Sequence, residues 1–213
     1  MKREGLFHGD LRRALALAGV EFAKQGGPEA ITVRAATRVA GVAPSAAYRH
    51  FENRDELVLA VAQVAQTEVA NRMAALRDTL LQSLDTNASA ADRAQTLLYA
   101  VGRAYLEFAW DEPGLFRTAF GTQHDLINSA ASTAAGADGL TPFQHLSAAL
   151  DALLEAGVLS AHDRPGAEAL AWSSVHGFAH LTIGGPLRAL PPEQRSDLGD
   201  RVIAMASDGI LHR

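Results

Sequence analysis

Between Thr32 and Phe51 the chain reads T-V-R-A-A-T-R-V-A-G-V-A-P-S-A-A-Y-R-H-F, and its polar residues fall in a pattern that suits one kind of chemistry. Ser45, Tyr48 and Arg49 share one side of a helical segment, with His50 at its edge, while Ala47 and Phe51, one turn apart, share the other. Hydroxyl, guanidinium and imidazole groups donate hydrogen bonds to phosphate oxygens, and an arginine also reads guanine edges in the major groove. A small apolar seam behind an outer face of hydroxyls, an aromatic ring and bases is what a DNA-reading helical hairpin needs. A solvated hairpin with no partner is the plain alternative.

Catalysis has no comparable pattern. The chain contains no G-x-S-x-G, phosphate-binding glycine loop, H-E-x-x-H or dinucleotide fingerprint, so an enzyme is not expected. Ser173, Ser174 and His176 lie close together, but no acid stands beside them to orient the imidazole. His176 and His180 are spaced i, i+4 and could face one ion. Two ligands do not make a site, and nothing places His124, His145 or His162 as a third, so neither metal nor cofactor is expected and a core or pocket histidine pair is the better reading.

The elements that must hold the outer face follow from local signals. Val33, Ala36 and Ala40 recur at helical spacing, Gly41 stands where a residue of positive φ ends a helix, and Val42 plugs the turn. Pro44 suits the first turn of the next helix, where its missing N–H has no partner to lose. An earlier helix from about Gly9 to Lys24 carries the stripe Leu11, Leu15, Ala18 and Phe22. N-R-D-E from Asn53 is a capping box opening a long helix to about Leu84, roughly 45 Å at ~1.5 Å per residue. Further helices are expected at about Ala91–Trp110, Pro113–Phe120, Gln123–Ser132, Pro142–Ala156, Pro165–Ile183 and Pro192–Leu211. No strand pattern or repeat occurs. The fold class is all-α, with an N-terminal helix-turn-helix domain over residues 1–53 and a C-terminal helical bundle over residues 54–213.

The run Y-R-H-F-E-N-R-D-E-L, with T-V-R, A-G-V and the opening H-G-D-L-R-R-A-L, resembles the DNA-binding domain of TetR-family transcriptional regulators. The opening and W-S-S-V-H-G from Trp172 to Gly177 are similar to a branch with a C-terminal Trp…His-Gly motif, and Y-L-E-F-A-W-D-E-P-G-L-F-R supports the likeness. Ala43 stands where the family often has a capping Ser, and Ser45, Ala47, Ala36 and Thr37 replace the usual Gly, Leu or Pro, Ile and Ala, which thins the seam. The resemblance implies a repressor, bound to a palindromic double-stranded operator and released by a small-molecule effector. It implies phosphate contacts from Thr32, Arg34, Tyr48, His50 and Arg54, base-edge contacts from Ser45, Ala46 and Arg49, and backbone or minor-groove contacts from Lys2 and Arg3. It also implies an effector pocket, for which Phe108, Phe143, Trp172 and His176 are the candidates among the C-terminal aromatics. Finally, it implies a homodimer through the last two helices, about 165–183 and 192–211. A small-molecule binding protein without regulatory DNA binding is the alternative.

Composition sets the limits. The 213 residues suffice for a proper core, and with no cysteine there is neither disulfide nor thiolate metal site. No apolar segment suits a signal peptide or a membrane span, so a cytoplasmic protein without membrane contact is expected. The net charge is −5, but residues 1–53 hold eight Lys/Arg against five Asp/Glu, a balance of +3 that leaves −8 for the remainder. A basic head on an acidic body suits a chain that meets DNA with one end.

Overall fold

A computed structural model describes residues 8–121 and 134–211, and the described residues are helical with no strand. The elements are α1 (His8–Gly26), a 3-10 turn (Gly27–Ala30), α2 (Val33–Ala40), α3 (Pro44–Ala47), α4 (Arg54–Ser83), α5 (Ala90–Asp111), α6 (Pro113–Ala119), α7 (Pro142–Glu155), α8 (Ala167–Ile183) and α9 (Pro192–Leu211). The helix expected over Gln123–Ser132 lies outside the described residues.

Two compact units share the chain. The first takes the described residues up to Gln66 with those from Glu112 to 121; the second takes Thr67–Asp111 with 134–211. They do not follow the linear division at 53/54, for two reasons. The capped start of α4 buries Leu57, Val58 and Val61 within the first unit. In addition, α6 packs on α1 and the 3-10 turn, with Phe116 fully buried and the buried Gln66 amide donating to the Ala119 carbonyl at 2.8 Å. The 30-residue α4 is continuous through the boundary.

In the first unit, Gly41 ends α2 at φ 67°, where a side chain would be strained, and the Val42 N–H closes on the Thr37 carbonyl at 3.0 Å. Val33 and Ala36 are buried, but Ala40 and Val42 are only half-buried; Thr37 fills the seam instead, its hydroxyl satisfied by the Arg34 carbonyl at 3.0 Å. The capping box at α4 is offset. Asn53 Oδ1 accepts the Glu56 N–H at 3.0 Å, but the Glu56 carboxylate accepts from Glu52 N–H at 2.8 Å rather than from Asn53.

In the second unit α5 packs against α7, α8 and α9. Leu106, Phe108, Leu150 and Leu153 are fully buried there, each worth about 1.5–3 kcal/mol relative to exposure. A full capping box starts α7: Thr141 Oγ1 accepts the Gln144 N–H at 3.2 Å and Gln144 Oε1 accepts the Thr141 N–H at 2.9 Å. The start of α8 is two residues later than the proline rule expects. Gly166 caps it at φ 78°, which leaves Pro165 in the preceding turn.

The last helix presents two apolar stripes, and the fold separates them. Gly199, Ile203 and Ile210 are buried, with Ala206 half-buried in the same stripe. A Cβ at Gly199 would lie 2.9 Å from the Trp110 ring and 3.0 Å from Leu106, so glycine is what permits this approach to α5. On the other stripe Leu198 and Val202 are half-buried, Gly209 is exposed and Met205 is 70% exposed. On α8, Leu170, Ser173, Ser174, Gly177 and Leu181 are exposed.

Candidate functional site

The DNA-reading candidate begins at Thr32, whose side chain caps α2 by accepting the Ala35 N–H at 3.2 Å. That leaves the hydroxyl hydrogen as a donor, on the same exposed surface as Arg34. Pro44 opens α3 behind Ala43, which supplies no side-chain cap, as its methyl group dictates. Beyond Ala47 the segment continues as turns, the His50 and Phe51 N–H groups both reaching the Ala47 carbonyl, at 2.9 and 3.0 Å. Ala47 is fully buried and Phe51 is 1% exposed, while Ser45, Tyr48 (57% exposed) and Arg49 face outward and Ala46 and His50 are half-buried. The expected division between seam and outer face is therefore present in the geometry. Lys2 and Arg3 lie outside the described residues.

Two arginines tie this surface to its own backbone. Arg54 Nε donates to the Ile31 carbonyl at 2.8 Å and Nη2 to the Pro28 carbonyl, while Nη1 lies 3.6 Å from Asp55. Arg12, from α1, places its guanidinium 4.5 Å from the centre of the Phe51 ring and donates to the His50 carbonyl. In the sequence Arg12 stands in H-G-D-L-R-R, a run that shows its charge but not what it touches.

The second candidate lies between α5 and α8. Trp172 Nε1–H donates to Tyr105 Oη at 3.0 Å, and Tyr105 Oη lies 2.7 Å from His176 Nδ1. Burial pushes the Tyr105 phenol far up, so it keeps its proton while it joins the indole N–H to the imidazole. Burial first, and the neighbouring His180 second, lower His176 to about 4, so it is neutral at neutral pH. The rings of Trp172 and His176 meet edge-on at 5.6 Å and those of His176 and His180 at 4.5 Å. Trp172 and His176, both sequence candidates, are thus brought together through Tyr105. Phe108 is fully buried on α5 under the Arg72 guanidinium, 5.2 Å away, and Phe143 is half-buried at the start of α7.

The hydroxyls of Ser173 and Ser174 donate back to the helix carbonyls of Ala169 and Leu170. They do not pair with His176, whose Nδ1 is taken by the phenol. His145 is buried on α7 with Nε2 3.5 Å from Asp138, its pKa lowered by burial, and His162 is exposed in a turn. Among the described residues no three His, Cys, Asp or Glu side chains form a group that could hold a metal ion, and no helix is long and apolar enough to cross a membrane. His124 lies outside the described residues.

Residues 16–61 match the family model described as bacterial regulatory proteins, tetR family, and residues 98–206 match the tetracyclin repressor-like C-terminal domain. No curated protein matches the chain significantly. Among solved structures, a protein with unknown function from Rhodococcus sp. RHA1 is similar at a TM-score of 0.61 and 24% identity, covering 98% of this chain and 97% of that one. A bacterial regulatory protein in the tetR family from Rhodococcus RHA1 is similar at 0.55 and 17% identity over 94% and 96% of the two chains. A TetR transcriptional regulator from Rhodococcus sp. RHA1 gives 0.52 and 17% over 96% and 99%. At these identities the structures speak for the fold, whereas the family models speak for descent. With a helix-turn-helix at one end and a repressor-like helical domain over half its length, the chain belongs to the TetR family of transcriptional regulators.

Proposed function

We propose that this regulator is a homodimeric repressor that binds a palindromic operator and is released by a small-molecule effector. The observation carrying the DNA-binding part is the outer face of α3 and the turn after it, where Ser45, Tyr48 and Arg49 project outward over a buried Ala47 and Phe51. In this reading Thr32, Arg34, Tyr48 and His50 contact phosphates, with Arg54 through whatever N–H groups its backbone contacts leave. Ser45, Ala46 and Arg49 lie at base edges, and Lys2 and Arg3 reach the backbone or minor groove. The linear division, head 1–53 and body 54–213, remains useful as a functional one. A single short hairpin gives little specificity, so two half-sites are read together. The exposed stripe Leu198, Val202, Met205 and Gly209 on α9, with the exposed face of α8, is the partner surface. A monomer's terminal helix needs only one buried stripe, and α9 already has one.

The effector contacts are assigned to Trp172 and His176, with Phe108 and Phe143 supplying apolar wall. A cluster of aromatic rings with a few convergent polar groups is the usual composition of such a pocket. The effector must bind the released form better than the DNA-bound form, and by reciprocity operator DNA weakens effector binding by the same factor.

The test is a salt-dependent gel shift on DNA upstream of the chain's own gene. Log K should fall linearly with log salt. Arg34→Ala should weaken binding to all sequences alike, whereas Arg49→Ala should cost about 1–3 kcal/mol at the operator and blur one or two positions per half-site. A wild-type chain with no salt-dependent binding would instead favour a small-molecule binding protein without regulatory DNA binding.

A further inference from the structure

We infer that Arg12 is a positioning residue for base readout: stacked on Phe51 and bonded to the His50 carbonyl, it sets the orientation in which α3 meets the groove. This rests on the DNA-binding reading above.

The helix α3 is short and thinly packed. Its regular part is four residues long, Pro44–Ala47, and helices that short do not persist on their own in water. Its N-cap is an alanine with no side-chain bond to offer. Its buried side consists of the Ala47 methyl and the Phe51 ring. A one-methyl contact resists rotation poorly, so the angle of the segment depends on what grips Phe51 and the end of the chain around it.

Arg12 grips both. Its guanidinium lies over the Phe51 ring at 4.5 Å, and it donates to the carbonyl of the preceding residue, His50. The His50 carbonyl lies in the turn that follows α3, so the bond from Arg12 fixes the backbone through which the segment leaves. The planar fork lets one group stack on a ring and donate in its own plane, which an ammonium cannot do. Because α1 is a 19-residue helix with Leu15 and Ala23 fully buried, the grip transmits the position of a rigid element to a weak one. Arg49 lies one residue before His50, and Ser45 and Ala46 lie within five. A bidentate arginine–guanine pair needs both hydrogen bonds near 2.7–3.2 Å at once. A small rotation of α3 therefore costs base contacts before it costs phosphate contacts, which flexible side chains can restore.

The experiment uses the full chain and a duplex selected by the wild type from a random pool, beside a scrambled duplex of equal length. Binding is followed by fluorescence anisotropy across a range of salt. Arg12→Gln should lower affinity for the selected duplex roughly tenfold while leaving scrambled-duplex affinity and the salt slope unchanged. Arg12→Lys keeps the charge but not the fork, and should resemble Arg12→Gln rather than wild type. Hydrogen exchange at the amides of Tyr48, Arg49, His50 and Phe51 should quicken in both variants. Equal loss on both duplexes with a shallower salt slope would make Arg12 a phosphate contact and overturn the proposal, as would wild-type preference in either variant. Should Arg12→Gln unfold the first unit, Arg12→Lys carries the comparison; if both unfold it, Arg12 is a folding residue and the proposal fails. A wild type that selects no duplex takes down the DNA-binding reading itself, a failure visible before any variant is made.

Discussion

The α3 face and the Tyr105 cluster treat polar groups in opposite ways. In the turn after α3, Tyr48 and Arg49 point into solvent, and the backbone is what the protein holds, through Arg12 on the His50 carbonyl and Arg54 on those of Ile31 and Pro28. Between α5 and α8 the polar atoms are themselves the joint, running from indole to phenol to imidazole at 3.0 and 2.7 Å. Exposed groups can exchange water for DNA at little cost to the fold. Groups inside a helical layer must be paired, or each costs about 1–3 kcal/mol. An exposed polar face and a buried polar joint therefore call for different construction, and the same substitution should have different consequences in each.

The largest effect should come from placing charge in the second unit's core. Ile203, 5% exposed and packed toward α5, should not tolerate Ile203→Arg; the unpaired charge should abolish cooperative melting of that unit. Met205→Arg, two residues away on the exposed stripe, should keep helical circular dichroism but give a monomer in light scattering and lose the palindromic site. If Met205→Arg remained dimeric, that stripe would not be the partner face.

A paired change tests the comparison directly. Tyr105→Phe strips a hydrogen-bond partner from His176 and an acceptor from Trp172, and should cost about 1–3 kcal/mol in urea unfolding. Tyr48→Phe removes the same atom from an exposed ring and should change stability by less than about 0.5 kcal/mol while weakening DNA binding. Equal stability costs would mean that Tyr48 is structural or the Tyr105 network idle.

Acid sharpens the same contrast. Folding lowers His176 from 6.5 to about 4, through burial first and His180 second. Between those values the unfolded chain binds more protons than the folded one, so this contribution is full above pH 6.5 and lost as pH falls toward 4. Urea midpoints of wild type should therefore drop faster over that window than those of His176→Gln. Parallel curves would show that the imidazole is not held neutral.

The smallest effect is a gain. Ala43→Ser supplies the missing cap of α3 at a residue already extended at φ −70° and ψ 146°, and should add about 0.5–1 kcal/mol to the first unit's thermal stability. No gain would mean that the serine hydroxyl finds water rather than the α3 N–H groups.

Much of this architecture was legible without coordinates because its causes are local. Gly41, Pro44 and the i, i+4 pair Ala47 and Phe51 define a turn and a seam within a few residues, and α9 runs over Pro192–Leu211 as its proline and apolar spacing require. Other features were misjudged even locally: Gly166 starts α8 after Pro165, and the Glu56 carboxylate reaches Glu52, because backbone direction at a cap decides which N–H is near. What no local pattern carries is the meeting of distant side chains. Tyr105 joins Trp172 and His176 across 67 and 71 positions, and Arg12 reaches His50 across 38. The spacing along α9 yields two apolar stripes of equal merit; only the contact of Gly199 with Trp110 and Leu106 turns one of them inward. Periodicity follows from the covalent repeat of one helix, but which side that helix buries depends on the shape of the neighbour it meets.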